Sequence, residues 1–252
     1  MYYCEPKLIS IIAVTNNIIN TTLKKVILLI AIYFFVNHAV AQGSVMRKNS
    51  LTQSVTEQFL VLKSNKEIKQ GLYQAIYRRQ IALASGNYAD NKRIGAWHFY
   101  DKYGRLVQNF NYERNSITWE MADDSLSAMH IRYGFDNKIT DTDRVTKPMK
   151  TGGIYYGYIP YLKLFRLSDE YMETDLTQFT AILEILVSPG GRLADFKVHI
   201  KSPVDERITT FSTDLIDEDD RLFVPATINY KPALCRIFVK CRITDDGELD
   251  ID

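Results

Sequence analysis

Shifted by 24 residues, the sequence overlays itself: Gly71 falls on Gly95, Tyr73 on Trp97, Ile76 on Tyr100 and Tyr88 on Tyr112. The first copy reads GLYQAIYRRQIALASGNYADNKRI and the second GAWHFYDKYGRLVQNFNYERNSI. Each holds a short aromatic stretch, a turn (Arg78-Arg79-Gln80 or Lys102-Tyr103-Gly104) and a second stretch ending in Asn-Tyr. A repeated unit of this size reads as one β-hairpin. A lone hairpin cannot cover its own faces, so stacked hairpins must share aromatic cross-strand contacts. This predicts that Tyr73, Tyr77, Tyr88, Trp97, Phe99, Tyr100, Phe110 and Tyr112 serve mainly as structure, with ligand stacking as the alternative. The 16 tyrosines and 12 phenylalanines of the chain favour strand in the same way. The stretch MHIRYGF, Met129 to Phe135, is read as a degenerate strand extending this sheet.

The pattern G-x-W-x-F-Y-D-x-x-G-x-L-x-x-x-x-x-Y of the second copy resembles the MORN-type hairpin repeat of bacterial exported proteins, including some related to toxin-immunity modules. The resemblance covers residues 66–118. The first copy departs from it, with Tyr73 in place of Trp and no glycine after its turn.

From Thr151 the texture changes. A diglycine precedes Ile154, Tyr155, Tyr158, Ile159 and Leu162 at helical spacing, and Pro160 makes the helix short or kinked. Phe179 to Val187 and Leu193 to Ile200 read as two strands joined by a turn at Ser188-Pro189-Gly190-Gly191. Next, Ser202 is placed to cap a helix, with Pro203 at its first position and Asp205 at capping-box spacing. Val204, Ile208, Phe211 and Leu215 would form one face of that helix over a sheet. ALCRIFVKCRI then alternates as a long final strand, with Ala233, Cys235, Ile237, Val239, Cys241 and Ile243 on one face. Six residues of strand span about 20 Å, whereas a disulfide needs Cα atoms within about 7 Å. Cys235 and Cys241 are therefore expected as buried, unpaired thiols.

Helix, hairpin, helix, strand is the order of an α+β unit with helices on one face of an antiparallel sheet. With ILEILVSPGGRLADFKV, FVPATINYKPA and the alternating last strand, residues 151–244 resemble the TonB C-terminal domain. The segment Phe223-Val224-Pro225-Ala226 corresponds to that family's aromatic-x-Pro-Ala element. FRLSDEY stands where the family has Tyr-Pro, and no proline-rich spacer is present among the seven prolines. The fold class expected is thus α+β: a MORN-like antiparallel hairpin sheet followed by a TonB C-terminal-like domain, a layout similar to exported proteins of Bacteroidetes-type bacteria. What the TonB resemblance implies is contact with a partner's extended segment by strand addition. The candidate partner-binding edge is the last strand, through Arg236, Phe238, Lys240 and Arg242.

Near the amino end, Lys24 and Lys25 precede an apolar run of eleven residues, Val26 to Val36, followed by Ala39-Val40-Ala41. Charged region, short apolar region and small-x-small site read as a secretory signal peptide cleaved between Ala41 and Gln42. The alternative, a membrane anchor, needs roughly 20 apolar residues. Residues 1–22 precede the lysines, so translation is expected to start at Leu23. The layout becomes: 1–22, start-site overextension; 23–41, signal peptide; 42–65, lead-in; 66–118, hairpin repeats; 119–150, connecting strands or linker; 151–244, the α+β domain; and 245–252, an acidic tail read as disordered.

With 31 basic and 30 acidic side chains, the chain has no net field to steer it toward nucleic acid or anionic lipid. Arg78, Arg79, Lys92, Arg93, Arg105 and Arg114 lie mostly at turns and read as solvated charge. His98, His130 and His199 lack metal-ligand spacing. Asp217-Glu218-Asp219-Asp220 lacks the alternation and glycine of a calcium loop. Nucleophile, phosphate-loop and dinucleotide motifs are absent from the sequence. No catalytic, cofactor or metal residue is assigned. The expectation is an exported, non-enzymatic interaction module of the periplasm or cell envelope with a protein partner, touching membrane only through the signal peptide. The alternative is a toxin-immunity or stress-related MORN-repeat protein.

Overall fold

The computed structural model describes residues 43–122, 130–202 and 205–251. The signal segment and the start-site question lie outside these residues. Ser44 to Asp252 form one compact unit, built mainly of antiparallel sheet.

Seven strands make a meander in strict chain order: β1 (Ser44–Ser50), β2 (Val55–Leu62), β3 (Lys69–Tyr77), β4 (Ile81–Ala89), β5 (Lys92–Tyr100), β6 (Leu106–Asn111) and β7 (Ser116–Glu120). The 24-residue repetition is the repetition of hairpins β3–β4 and β5–β6. Gly71 is paired with Tyr88, and the Gly95 carbonyl accepts from Tyr112 N–H at 3.0 Å, so the aligned residues hold equivalent places. Both glycines have positive φ, 94° and 63°, a backbone that side chains with a Cβ rarely adopt. The lead-in segment is not a separate piece, because it supplies β1 and β2 of this same sheet.

Two connections are tight turns in which both central residues have positive φ, Arg78-Arg79 and Asp90-Asn91. Such turns match the right-handed twist of flanking strands. One face of the meander is lined by rings. Trp97 lies 5.2 Å from Tyr73, 5.3 Å from Tyr88 and 5.6 Å from Tyr112 between centroids. Tyr73, Trp97 and Phe99 are almost wholly buried.

The second sheet has the order β13 (Glu206–Phe211), β12 (Leu193–Lys201), β11 (Thr180–Val187), β17 (Cys235–Ile243) and β18 (Leu249–Ile251), with β8 (Ile131–Phe135) also on β17. Short pieces fill the intervals: β9 (Val145–Thr146), β10 (Met149–Lys150), β14 (Phe223–Val224), β15 (Ala226–Ile228) and β16 (Lys231–Ala233). β15 pairs with β9 and β16, and β10 with β14.

Between the two sheets runs the tyrosine-rich segment: a 3-10 turn at Tyr156–Tyr158 and the four-residue helix α1 (Ile159–Leu162), with Pro160 in its first turn. The diglycine forms the bend before it, held by Gln108, whose Oε1 accepts from Gly152 N–H at 2.9 Å. Tyr156 inserts into the aromatic ladder, 5.6 Å from Phe99, and its hydroxyl donates to Tyr73 at 2.9 Å. Tyr161 meets Phe196 of the second sheet at 5.3 Å. A single apolar core runs from Val55 to Ile251, so residue 151 is a change of texture and not a boundary of packing. Cys235 and Cys241 are both buried thiols that form no disulfide, and burial pushes the Cys235 thiol up to about 11.

Four expectations are corrected. The helix proposed over Ser202 to Leu215 is strand β13 and a 3-10 turn at Thr213–Leu215. Ser202 closes a hairpin instead of capping a helix: its N–H donates to the Asp205 carbonyl at 2.8 Å, and Asp205 N–H donates to Ser202 Oγ at 3.0 Å. The β-branched run Ile208-Thr209-Thr210 then suits a strand. The acidic tail is folded, because Leu249, Asp250 and Ile251 are buried in β18. The strand within MHIRYGF joins the second sheet through β17, not the meander.

The fourth correction concerns the partner-binding edge. β17 is internal. One side pairs with β11 from Cys235 to Cys241. The other pairs with β8 over Cys235–Val239 and with β18 over Cys241–Ile243.

Candidate functional site

The structure places Arg236, Phe238, Lys240 and Arg242 on the face of the second sheet that points away from the core. Their contacts bind them to that face. Arg236 Nε lies 3.2 Å from Glu184 Oε1, and its other side pairs with Asp136. Glu184, on the middle strand β11, also takes His199 Nε2 at 2.7 Å and Lys197 at 3.3 Å. One nearly buried carboxylate thus holds three side chains of neighbouring strands in place. Phe238 packs across Gly134, where an added Cβ would stand 3.1 Å from its ring. Arg242 pairs with Asp250. Lys240 remains exposed.

One edge of this sheet is β13, and the short strands β8 and β18 form the other. β13 pairs with β12 along Glu206 to Phe211, and no strand among the described residues flanks its other side. The strand is exposed along its length apart from Phe211, with Ile208 at 57 %. Beside it lies a pocket of about 110 Å³. Arg207 and Thr209 of β13 form one wall, and Phe165, Tyr171, Phe179 and Ile200 supply apolar surface. Arg207 is stacked 4.8 Å over the Tyr171 ring and ion-paired with Glu170 at 3.0 Å and Asp205 at 2.7 Å. An engineered cavity of about 150 Å³ holds a benzene ring, so this pocket suits one aliphatic side chain. Sequence reasoning missed β13 as an edge because its apolar residues also match a helical period.

A second concavity, about 270 Å³, opens where the meander meets the tyrosine segment and the turn Glu218–Arg221. Its walls carry Glu57 from β2, Lys69 from β3, Arg93 from β5 and Asp220 from the turn, with Tyr73, Tyr88 and Tyr156 between them. Lys69 Nζ sits 3.5 Å from Glu57 Oε2 and 4.3 Å above the Phe59 ring. Arg93 donates to Tyr88 at 3.3 Å and Tyr112 at 3.0 Å, and Asp220 Oδ1 lies 3.7 Å away. Burial opposes the Arg93 charge, but Tyr156, Tyr112 and Asp220 outweigh it and hold its pKa well above the usual value. Burial raises the Tyr73 and Tyr156 phenols, which stay protonated donors.

Beneath this cleft, Lys150 is enclosed. It donates to the Asp220 carbonyl at 2.6 Å and lies 4.8 Å over Phe223. Burial lowers its pKa to about 8, against the pull of Asp220. The acidic run read as a solvated connection is therefore divided. Glu218 faces solvent on Arg192 at 2.8 Å, while Asp220 turns toward Arg93. Among the described residues, no group of three His, Cys, Asp or Glu side chains is gathered as a metal site. His98 is satisfied by Asn109 Oδ1 at 2.7 Å. No protein-family model, no curated protein and no solved structure matches this chain.

Proposed function

We propose that the chain is an exported, non-enzymatic interaction module of the periplasm or cell envelope, which captures an extended segment of a partner protein by strand addition on β13. The reading joins the secretory signal read in the sequence to the likeness of the hairpins to MORN repeats and of residues 151–244 to a TonB C-terminal domain. The observation that carries it is the pocket beside β13, walled by that strand's own Arg207 and Thr209. In strand addition, main-chain hydrogen bonds supply affinity and pockets for alternate side chains supply specificity. A segment laid along Glu206–Phe211 would set every second side chain on the pocket side.

The test is a photo-crosslinking residue placed at Ile208 and, as control, at exposed Tyr103 on the meander. The expected result is a discrete adduct with one envelope protein from Ile208 alone. That protein, added in purified form, should then protect the backbone amides of Glu206–Phe211 from hydrogen exchange. Equal labelling from both positions, or unchanged exchange along β13, overturns the proposal.

A further inference from the structure

We infer that the cleft between the meander and the Glu218–Arg221 turn is a binding site for one small neutral polyol, of the size and chemistry of a single saccharide ring. Charge is the first argument. Lys69 beside Glu57 and Arg93 beside Asp220 are two matched pairs, and exposed Lys163 and Asp217 add one charge of each sign at the rim, so the cleft is neutral as it stands. An added anion would meet two carboxylates, and an added cation would meet an ammonium and a guanidinium. An apolar ligand would strip water from four charged groups without replacing their hydrogen bonds. A hydroxyl does neither, because it donates to a carboxylate and accepts from a cation at once.

Unused hydrogen-bonding capacity is the second argument. Arg93 spends Nε and Nη1 on Tyr88 and Tyr112, and its Nη2 carries no hydrogen bond within the described residues. The Tyr73 hydroxyl accepts from Tyr156 and keeps its own proton to donate. Tyr88 accepts from Arg93 and likewise keeps its proton. Glu57 is fixed by Asn49 Nδ2 at 3.1 Å on Oε1, which leaves Oε2 toward Lys69. Donors and acceptors therefore alternate around the cleft on groups held rigidly by strands, which is how polar sites gain specificity. The volume, 270 Å³, is that of roughly nine waters at about 30 Å³ each. It admits one ring and not a chain of them. Leu51, Ile159 and Pro160 offer the C–H faces of such a ring apolar contact.

Trp97 provides the readout, because the Arg93 guanidinium lies 5.4 Å from its ring. The protein has two tryptophans, so Trp119→Phe leaves Trp97 as the only reporter. This variant would be titrated with glucose, galactose, mannose and N-acetylglucosamine, and separately with glycine and inorganic phosphate. The expected result is a saturable change in Trp97 emission with at least one saccharide and none with glycine or phosphate. In the same background, Glu57→Gln and Lys69→Gln should each weaken that saccharide at least ten-fold while unfolding at a similar temperature. Absence of saturable binding by all four saccharides overturns the inference. So does binding of phosphate or glycine instead, or affinity unchanged in both folded variants.

Discussion

A Cβ added to Gly86 would stand 2.3 Å from the indole of Trp97 on the next strand. The ring occupies the space that any other residue on β4 would need, and its Nε1 donates to the Asn87 carbonyl at 3.2 Å. Gly86→Ala should therefore destabilise the protein by about 3 kcal/mol, the upper end of an overpacking cost. Adding Trp97→Phe should recover part of that loss, so the double variant is more stable than the sum of the singles predicts. Urea denaturation of the four proteins measures the coupling; strict additivity would refute the contact.

The Arg78-Arg79 turn holds two side-chain-bearing residues at φ 46° and 62°. Left-handed backbone costs such residues roughly 1–2 kcal/mol each, and glycine escapes it. Arg79→Gly should stabilise by about 1 kcal/mol, raising the melting temperature by about 2–4 °C for a chain of this size. Calorimetry tests this, and a lower melting temperature would show that Arg79 makes a compensating contact.

Much of the meander is legible in the sequence because its signal is local and occurs twice. Hairpins β3–β4 and β5–β6 follow from Gly71, Gly95 and the rings spaced between them. The hairpin β11–β12 follows from Ser188-Pro189-Gly190-Gly191 between two apolar runs. β13 is obscured because Ile208 and Phe211 sit at a spacing that a helix shares, while the hydrogen bonds between Ser202 and Asp205 decide for a hairpin. β17 reads as a terminal strand because the two pieces that flank it hide their pairing. One lies in MHIRYGF and the other in a stretch whose acidity suggests disorder. The cleft is less legible still. Glu57, Lys69, Arg93 and Asp220 come from four places along the chain, and nothing local marks them as neighbours.

Asp250 shows what that acidic stretch conceals. Its carboxylate is almost wholly buried, where it accepts from Tyr155 and Arg242, from Ser54 at 3.1 Å and from Tyr77 at 3.5 Å. Asp250→Ala leaves these donors without an acceptor and should cost about 3 kcal/mol. Asp250→Asn keeps the shape and one acceptor oxygen and should cost less. Denaturation midpoints for the two variants check the order, and equal losses would argue against the hydrogen-bond account.

Lys150 sets a dependence on pH. Its pKa falls from the ordinary lysine value to about 8 in the folded chain, so between pH 8 and roughly 10.4 the unfolded chain binds more protons. Stability should rise with pH across that window. Above about pH 10 the raised phenols of Tyr155, Tyr156 and Tyr161 act in the opposite sense, because they ionise only on unfolding. Lys150→Met removes the first effect alone. Against the parent, its advantage should be largest, or its deficit smallest, at pH 7, and toward pH 10 the advantage should shrink or the deficit grow in urea titrations. A difference constant with pH would exclude Lys150 as the titrating group.

The bonds from Ser54 and Tyr77 to Asp250 span 196 and 173 residues along the chain. A polypeptide emerging amino end first, from a ribosome or through a membrane pore, can form the meander's hairpins early but cannot close this latch until residue 250 has followed. Long-range closure of this kind slows folding. Under the export proposed above, that delay would keep the unit threadable throughout its passage.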